Sequence, residues 1–401
     1  LCAAVAALAP HAAADAQTPP APVTSPVATP VSDPARMRLD VMLRTGHADP
    51  AWFSAIFLAQ ISAVQVDAII SQFKTNLGEY QTINGAAGDY TARFAKGTDR
   101  VLVHLDGQNK IDGLLFKEPS LQAASLGDAL RALAPSQGRL SYVILDQRGD
   151  LAALDASAPL AVGSAFKLAV LAAVRDQVSA GRRHWNDAIN LQPAWKSLPS
   201  GVLRTWPDGT PITLATYAAE MISISDNTAA DALIRLAGPR ALLPYAQRNV
   251  PFLTTREAFV LKSSTGTTQR VAYLAARTPA QRSKILRSVD AMSLPPAQSL
   301  SSTPILAIEW QYSVRELCSL MRRVADLPAM SINPGADATS FRRVAFKGGS
   351  DTGVINLTTQ VTTKRGTTFC FSATLNDSTK AIDEARFEST YAAALSALAN
   401  R

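Results

Sequence analysis

Apolar and polar positions change rhythm along this chain, and the changes divide it. From about residue 37 to 77 the spacing is helical: in "SAVQVDAIISQFKTNLG" Val64, Ile69, Phe73 and Leu77 lie broadly along one side, the mark of an amphipathic helix. Gly78 stops that pattern, and "EYQTI", "DYTARFA", "DRVLVHL" and "KIDGLLF" follow. Alternation at Val101, Val103 and Leu105, with Asp106-Gly107 at a turn, predicts strands and a hairpin. Helices followed by an antiparallel meander predict a small α+β domain over 37–118. "SLQAASLGDALRALAPSQG" then predicts a linker helix over 119–137.

From residue 138 the pattern differs. "RLSYVILDQRGDLAALD" reads as a β-hairpin with Arg148-Gly149-Asp150 at its turn, and a strongly apolar helix follows Ser164. A helical middle section runs to about residue 330. "VAFKGGS", "GVINLTTQVTT" and "TTFCFSATLN" read as strands, and "KAIDEARFESTYAAALSALAN" as a closing helix. The expected architecture of 138–401 is α/β plus a helical lobe, with an antiparallel sheet built from both ends of the segment and flanked by helices. No internal repeat is evident.

Composition narrows the function classes. The 401 residues are 47% hydrophobic and 18% charged, which suits two globular domains. The net charge of +7 is scattered, and the densest basic cluster, Arg182-Arg183-His184, is too short for a nucleic-acid-binding stripe. His11, His47, His104 and His184 lie far apart with no metal-ligand spacing, so neither a metal site nor a cofactor is expected. Residues 1–16 read as the remnant of a secretory signal ending in the small-x-small pattern Ala14-Asp15-Ala16. Residues 17–36 are a Pro-rich tether. No apolar run approaches the ~18 residues of a membrane span. The protein is therefore expected in the periplasm or secreted. Cys318 and Cys370 are read as buried thiols, although an oxidising compartment permits a disulfide between them.

The candidate chemistry begins at "AVGSAFKLAVLAAV". Ser164 and Lys167 are three apart and share a helix face, so the amine can take the hydroxyl proton if it is kept neutral. The pair alone is weak evidence, because Ser71 and Lys74 repeat the spacing inside an ordinary amphipathic helix. Two further motifs supply context. Ser225-Asp226-Asn227 stands 61 residues beyond Ser164, and Lys347-Gly348-Gly349-Ser350 lies on a later strand.

S-x-x-K, then S-D-N, then K-[ST]-G is the ordered set of penicillin-recognising serine enzymes. Over about 138–400 the chain resembles that family, class A β-lactamases in particular. The resemblance implies a β-lactamase/transpeptidase-like fold and a Ser164 acyl-enzyme formed on a small-molecule amide or ester such as a β-lactam. Lys167 would be the base, its pKa lowered by Lys347, which also attracts a substrate carboxylate. Ser225 would relay a proton to the leaving nitrogen, and Asn227 would bind Lys167 and a substrate amide. The backbone N–H groups of Ser164 and Ser350 would form the oxyanion hole beside Gly349. Asp226 reads as structural. The helix-plus-meander domain loosely resembles the NTF2-like fold that precedes a β-lactamase-like domain in a protein of the clavulanic acid cluster. Its Tyr80, Tyr90 and His104 read as core or surface residues.

The chain departs from the family in three places. Gly348 removes the usual hydroxyl, for which Ser350 could compensate. An insertion-like stretch, 276–302, lengthens the interval before Lys347. The expected deacylating Glu is represented only by Glu257 in "PFLTTREAFVLKSS", where Lys262 stands near the usual Asn. Thr254-Thr255-Arg256-Glu257 also fits a capping box, so Glu257 is either a deacylation base or a helix cap. The first reading gives a hydrolase that turns over. The second gives a penicillin-binding sensor, D,D-peptidase or esterase with slow release.

Overall fold

The computed structural model describes residues 33–117, 120–121, 125–246, 248–335, 338–399 and 401; the signal remnant and most of the Pro-rich tether lie outside them. The chain divides into two compact units, one ending at Ala124 and one beginning at Ser125.

The first unit opens with α1 (Pro34–Thr45), α2 (Ala55–Gln60) and α3 (Ala63–Leu77). Helix α1 begins inside the segment expected to be tether, because Asp33 caps it and Pro34 fits its first turn. In α3 the buried face is Ala63, Val66, Ile70, Phe73 and Leu77. Val64, expected on that face, is 75% exposed. Strands β1 (Tyr80–Ala86), β2 (Asp89–Phe94), β3 (Gly97–Leu105) and β4 (Ile111–Phe116) form the antiparallel meander, and β5 (Ser120–Leu121) pairs with β3. Tyr90 is buried with its hydroxyl 2.8 Å from Asp33, Tyr80 bonds Asp40, and His104 is exposed beside Asp112.

The second unit begins with α4 (Leu126–Ala132), β6 (Arg139–Leu145), β7 (Asp150–Leu154) and β8 (Leu160–Ala161). The helical lobe follows: α5 (Lys167–Ser179), the short pair β9 (Ala188–Asn190) and β10 (Pro211–Thr213), then α6 (Leu214–Ser223), α7 (Asn227–Ala237) and α8 (Pro239–Leu242). It continues through α9 (Thr255–Lys262), α10 (Thr267–Ala275), α11 (Pro279–Asp290), β11 (Gln311–Tyr312) and α12 (Val314–Val324). The chain ends with β12 (Phe341–Asp351), β13 (Val354–Thr363), β14 (Thr368–Asn376) and α13 (Glu384–Ser396).

Five of these strands make one antiparallel sheet in the order β12-β13-β14-β6-β7, drawn from both ends of the unit as expected. One face packs on α12 and the other on α13. Helix α4, read from sequence as part of a linker, also packs on α13. At the centre of the lobe, α5 has every residue from Lys167 to Val174 buried. A helix apolar all round must lie in the core.

Cys318 of α12 and Cys370 of β14 form a disulfide, correcting the reading of both as free thiols. Each is buried as expected, but α12 lies on β14, which brings together sulfurs 52 residues apart. Closing a loop of that length restricts the unfolded chain by about 4 kcal/mol. Cys318→Ser with Cys370→Ser is therefore expected to lower the denaturant midpoint of the second unit, read by equilibrium unfolding.

Candidate active site

Ser164 sits in a tight 3₁₀ turn, Gly163–Phe166, that leads into α5 at Lys167. The turn requires Gly163, whose φ is +49° and whose added Cβ would lie 2.9 Å from the Ser350 nitrogen. Lys167 Nζ is 3.1 Å from Ser164 Oγ, so the pair meets as the spacing implied.

The surroundings of Lys167 define its protonation. Its amine lies 2.6 Å from the Ser225 carbonyl oxygen, 2.6 Å from Asn227 Oδ1 and 3.0 Å from Ser225 Oγ. The Asn227 amide is oriented because its Nδ2 donates to the Leu198 carbonyl at 2.5 Å. Two of the lysine's partners can therefore only accept. A neutral amine has two N–H groups and one lone pair; both hydrogens are taken, and the lone pair is left for a hydroxyl. Complete burial, reinforced by the charge of Lys347, pushes the Lys167 pKa well below its ordinary value. A neutral Lys167 in this setting can accept a proton from the hydroxyl of Ser164 or of Ser225.

Lys347 projects from β12 with Nζ 3.1 Å from Ser225 Oγ and 2.6 Å from the Gly348 carbonyl oxygen. Burial pushes its pKa down to about 7. Ser225 thus stands between two lysines and can pass a proton between them. It adopts φ +58°, a left-handed conformation that costs a non-glycine residue about 1–3 kcal/mol. Asp226 holds this turn: its carboxylate accepts from the backbone of Val202, Leu203 and Ala229 at 2.7–2.8 Å. A Cβ at Gly201 would sit 2.1 Å from that carboxylate.

Gly349 presses on the nucleophile turn, since a Cβ there would be 2.4 Å from the Ser164 nitrogen and 2.5 Å from that of Ala165. This approach brings the β12 backbone at Gly349 and Ser350 against the turn that carries Ser164. Ser350 itself is exposed on β12. At Gly348 an added Cβ would meet the Phe346 ring at 3.0 Å and Leu357 at 3.3 Å, so a larger residue there requires both side chains to shift by a few tenths of an ångström.

Glu257 is placed apart from this group. One carboxylate oxygen accepts from Thr254 N–H at 2.6 Å while Thr254 Oγ1 accepts from Glu257 N–H, a complete capping box at the start of α9. The other oxygen faces Arg235 at 3.4 Å. Among the described residues Glu257 has no hydrogen bond to Ser164, Lys167 or Asn227. Burial pushes its pKa up to about 7. Its carboxylate is engaged by the helix terminus and Arg235, as the capping reading expects. Glu257→Gln is expected to cost about 1 kcal/mol in thermal unfolding. Acylation and release rates should stay within threefold.

Of two further groups near the site, Asp231 was not singled out from sequence and Lys262 was named only as standing near the usual Asn. Asp231, one helical turn after Asn227, accepts from the N–H groups of Thr255 and Arg256 at 2.6 and 2.8 Å and so docks α9 under the S-D-N turn. Burial raises its pKa to about 6. Its spacing of four from Asn227 was the available signal. Lys262 forms a buried cluster with Glu309 and Asp351, for which the sequence carries no signal. Among the described residues no group of three or more His, Cys, Asp or Glu is placed to hold a metal ion. None of their helices is long and apolar enough to cross a membrane.

Residues 125–286 match the model of the Beta-lactamase enzyme family, a span that includes Ser164, Lys167, Ser225 and Asn227. The second unit is thus similar in sequence to that family over this span. A search of curated proteins finds no match. Among solved structures, the chain is similar to a β-lactamase from Sphaerobacter thermophilus DSM 20745 at 21% identity. That likeness covers 69% of this chain and 96% of the other, with a TM-score of 0.49. A β-lactamase from Chitinophaga pinensis DSM 2588 is similar at 18% identity over 68% and 97% of the two chains, TM-score 0.46. PBP-A is similar at 14% identity over 70% and 98%, TM-score 0.47.

Proposed function

We propose that the protein is an exported serine hydrolase that opens a β-lactam, or a related amide or ester, through a Ser164 acyl-enzyme. The observation that carries this reading is the buried Lys167 amine, 3.1 Å from Ser164 Oγ and also held by the Ser225 carbonyl and Asn227 Oδ1. Lys167 takes the Ser164 proton as Oγ attacks the carbonyl, and the Ser164 and Ser350 amides stabilise the oxyanion. Ser225 returns the proton to the leaving nitrogen, and Lys347 attracts a substrate carboxylate. The Cys318–Cys370 disulfide fits an oxidising compartment, periplasmic or extracellular.

A second reading, acylation followed by slow release, is favoured by one observation: the carboxylate of Glu257 is spent on the α9 cap and Arg235. The test is to mix the protein with a chromogenic cephalosporin, following hydrolysis and intact mass together and locating any adduct by peptide mapping. Many turnovers with a transient adduct on Ser164 support the hydrolase. A persistent adduct on Ser164 supports the sensor or peptidase reading. If neither a cephalosporin nor an activated ester modifies or is hydrolysed at Ser164, the acyl-enzyme proposal fails.

A further inference from the structure

Lys262 ends α9 in the interior, its side chain 9% exposed, and its amine pairs with Glu309, whose side chain is 2% exposed, and with Asp351 at 2.5 Å. Such a cluster is expensive, because desolvating the charges offsets much of their attraction. Glu309 Oε2 also has no hydrogen-bond partner among the described residues. An apolar side chain could fill this space at lower cost, so the location of the cluster becomes informative.

Each carboxylate is one residue from a wall of the site. Asp351 follows Ser350, whose N–H belongs to the oxyanion pair, and shares the strand face of Lys347 and Gly349. Glu309 precedes Trp310, whose carbonyl accepts from Val162 N–H at 3.1 Å and whose ring stacks on Phe166 at 3.8 Å. Val162 and Phe166 bracket Ser164. Lys262 itself belongs to α9, whose first residue, Thr255, puts its hydroxyl 3.2 Å from the Asn227 carbonyl. One ammonium therefore joins the oxyanion strand, the nucleophile turn and the helix beneath the S-D-N turn.

We propose that Lys262, clamped between Glu309 and Asp351, is a positioning residue that fixes the Ser350 and Ser164 amides relative to each other for acylation. The proposal rests on the acyl-enzyme reading above. The protonation pattern agrees with a held clamp: burial opposes charge on Lys262, but the two carboxylates outweigh it and raise its pKa. Burial likewise opposes charge on Asp351, yet Lys262 keeps its pKa lowered. The surplus carboxyl is Glu309, which burial pushes up to about 7.

The test uses the full chain with Lys262→Met, Lys262→Arg and Glu309→Gln. Benzylpenicillin and p-nitrophenyl acetate serve as probes, and Ser164 adduct formation is followed by mass across probe concentrations. Thermal unfolding and amide hydrogen exchange accompany each variant. Glu309→Gln is expected to lower the maximal acylation rate at least fivefold and Lys262→Met at least thirtyfold, with the half-saturating concentration within threefold of wild type. Lys262→Arg should retain more of the rate than Lys262→Met. Exchange should quicken in residues 160–167 and 346–352 and stay unchanged in α13.

Glu309→Gln keeps the Lys262–Asp351 pair, and it decides the matter if Lys262→Met does not fold. Maximal rates within threefold of wild type in every folded variant overturn the clamp. If the wild type forms no adduct with either probe, the acyl-enzyme reading has failed separately. Exchange then judges the clamp alone: local quickening supports it, and wild-type exchange in both segments overturns it.

Discussion

Lys167→Met should slow Ser164 acylation by about 10²- to 10⁴-fold, the range general base catalysis supplies. Methionine nearly preserves the side-chain volume but removes the amine that lies 3.1 Å from Ser164 Oγ. It also leaves Asn227 Oδ1 and the Ser225 carbonyl without the donor they share. The unpaired acceptors should cost about 1–3 kcal/mol. Stopped-flow acylation together with thermal unfolding separates the two effects. An acylation rate within tenfold of wild type would remove Lys167 as the base.

The second large effect is expected at Gly349→Ala. The new Cβ would meet the Ser164 nitrogen and the Val162 carbonyl oxygen at 2.4 Å, both backbone atoms that no side-chain rotation can relieve. Strand β12 and the nucleophile turn must separate, and the oxyanion amides move apart with them. Losing one such donor costs about 10²–10³-fold in rate. Overpacking should cost a further ~1–3 kcal/mol of stability. A variant that acylates within tenfold of wild type would show that the Ser164 and Ser350 amides do not act as a pair.

The two lysines also set a pH dependence. Lys167 works neutral, so acylation rises with pH as it loses its proton, on the acid side of the ordinary lysine range. Lys347 is charged below about 7 and loses that charge above it. For a substrate bearing a carboxylate, kcat/KM should therefore fall above about pH 7, while a neutral ester should lack that alkaline limb. Identical profiles for the two substrates would remove Lys347 as the carboxylate partner. The effect on stability runs the opposite way. An unfolded lysine holds its proton to its ordinary value of 10.5, so between 7 and 10.5 the folded chain binds fewer protons and the contribution of Lys347 to stability rises with pH.

Much of the fold was legible because its signals are local. The meander of the first unit was readable from turn residues and alternation, and the sheet's end strands from their apolar runs. The helical phase of α3 was readable less well: Val64 faces water while Val66 and Ile70 are inside, since a short apolar-rich helix leaves its buried stripe underdetermined until it packs. The ordered motifs did place Ser164, Lys167, Ser225, Asn227 and Lys347 together. The capping pattern at Thr254–Glu257 was legible too, because a capping box closes within four residues.

Sequence alone determined the order of elements, the pairing of Ser164 with Lys167 and the motif set around them, all of which depend on spacing along one chain. Tertiary structure decided whether that chemistry can run. The Lys167 proton depends on burial by α5 and on Lys347, 180 positions later. The tight space beside Gly348 is set by the ring of Phe346, and the fate of the cysteines by α12 lying on β14. The Lys262 cluster joins residues 47 and 89 positions away. Desolvation and charge pairing sum over neighbours brought together by folding, and no periodicity within the chain encodes those neighbours.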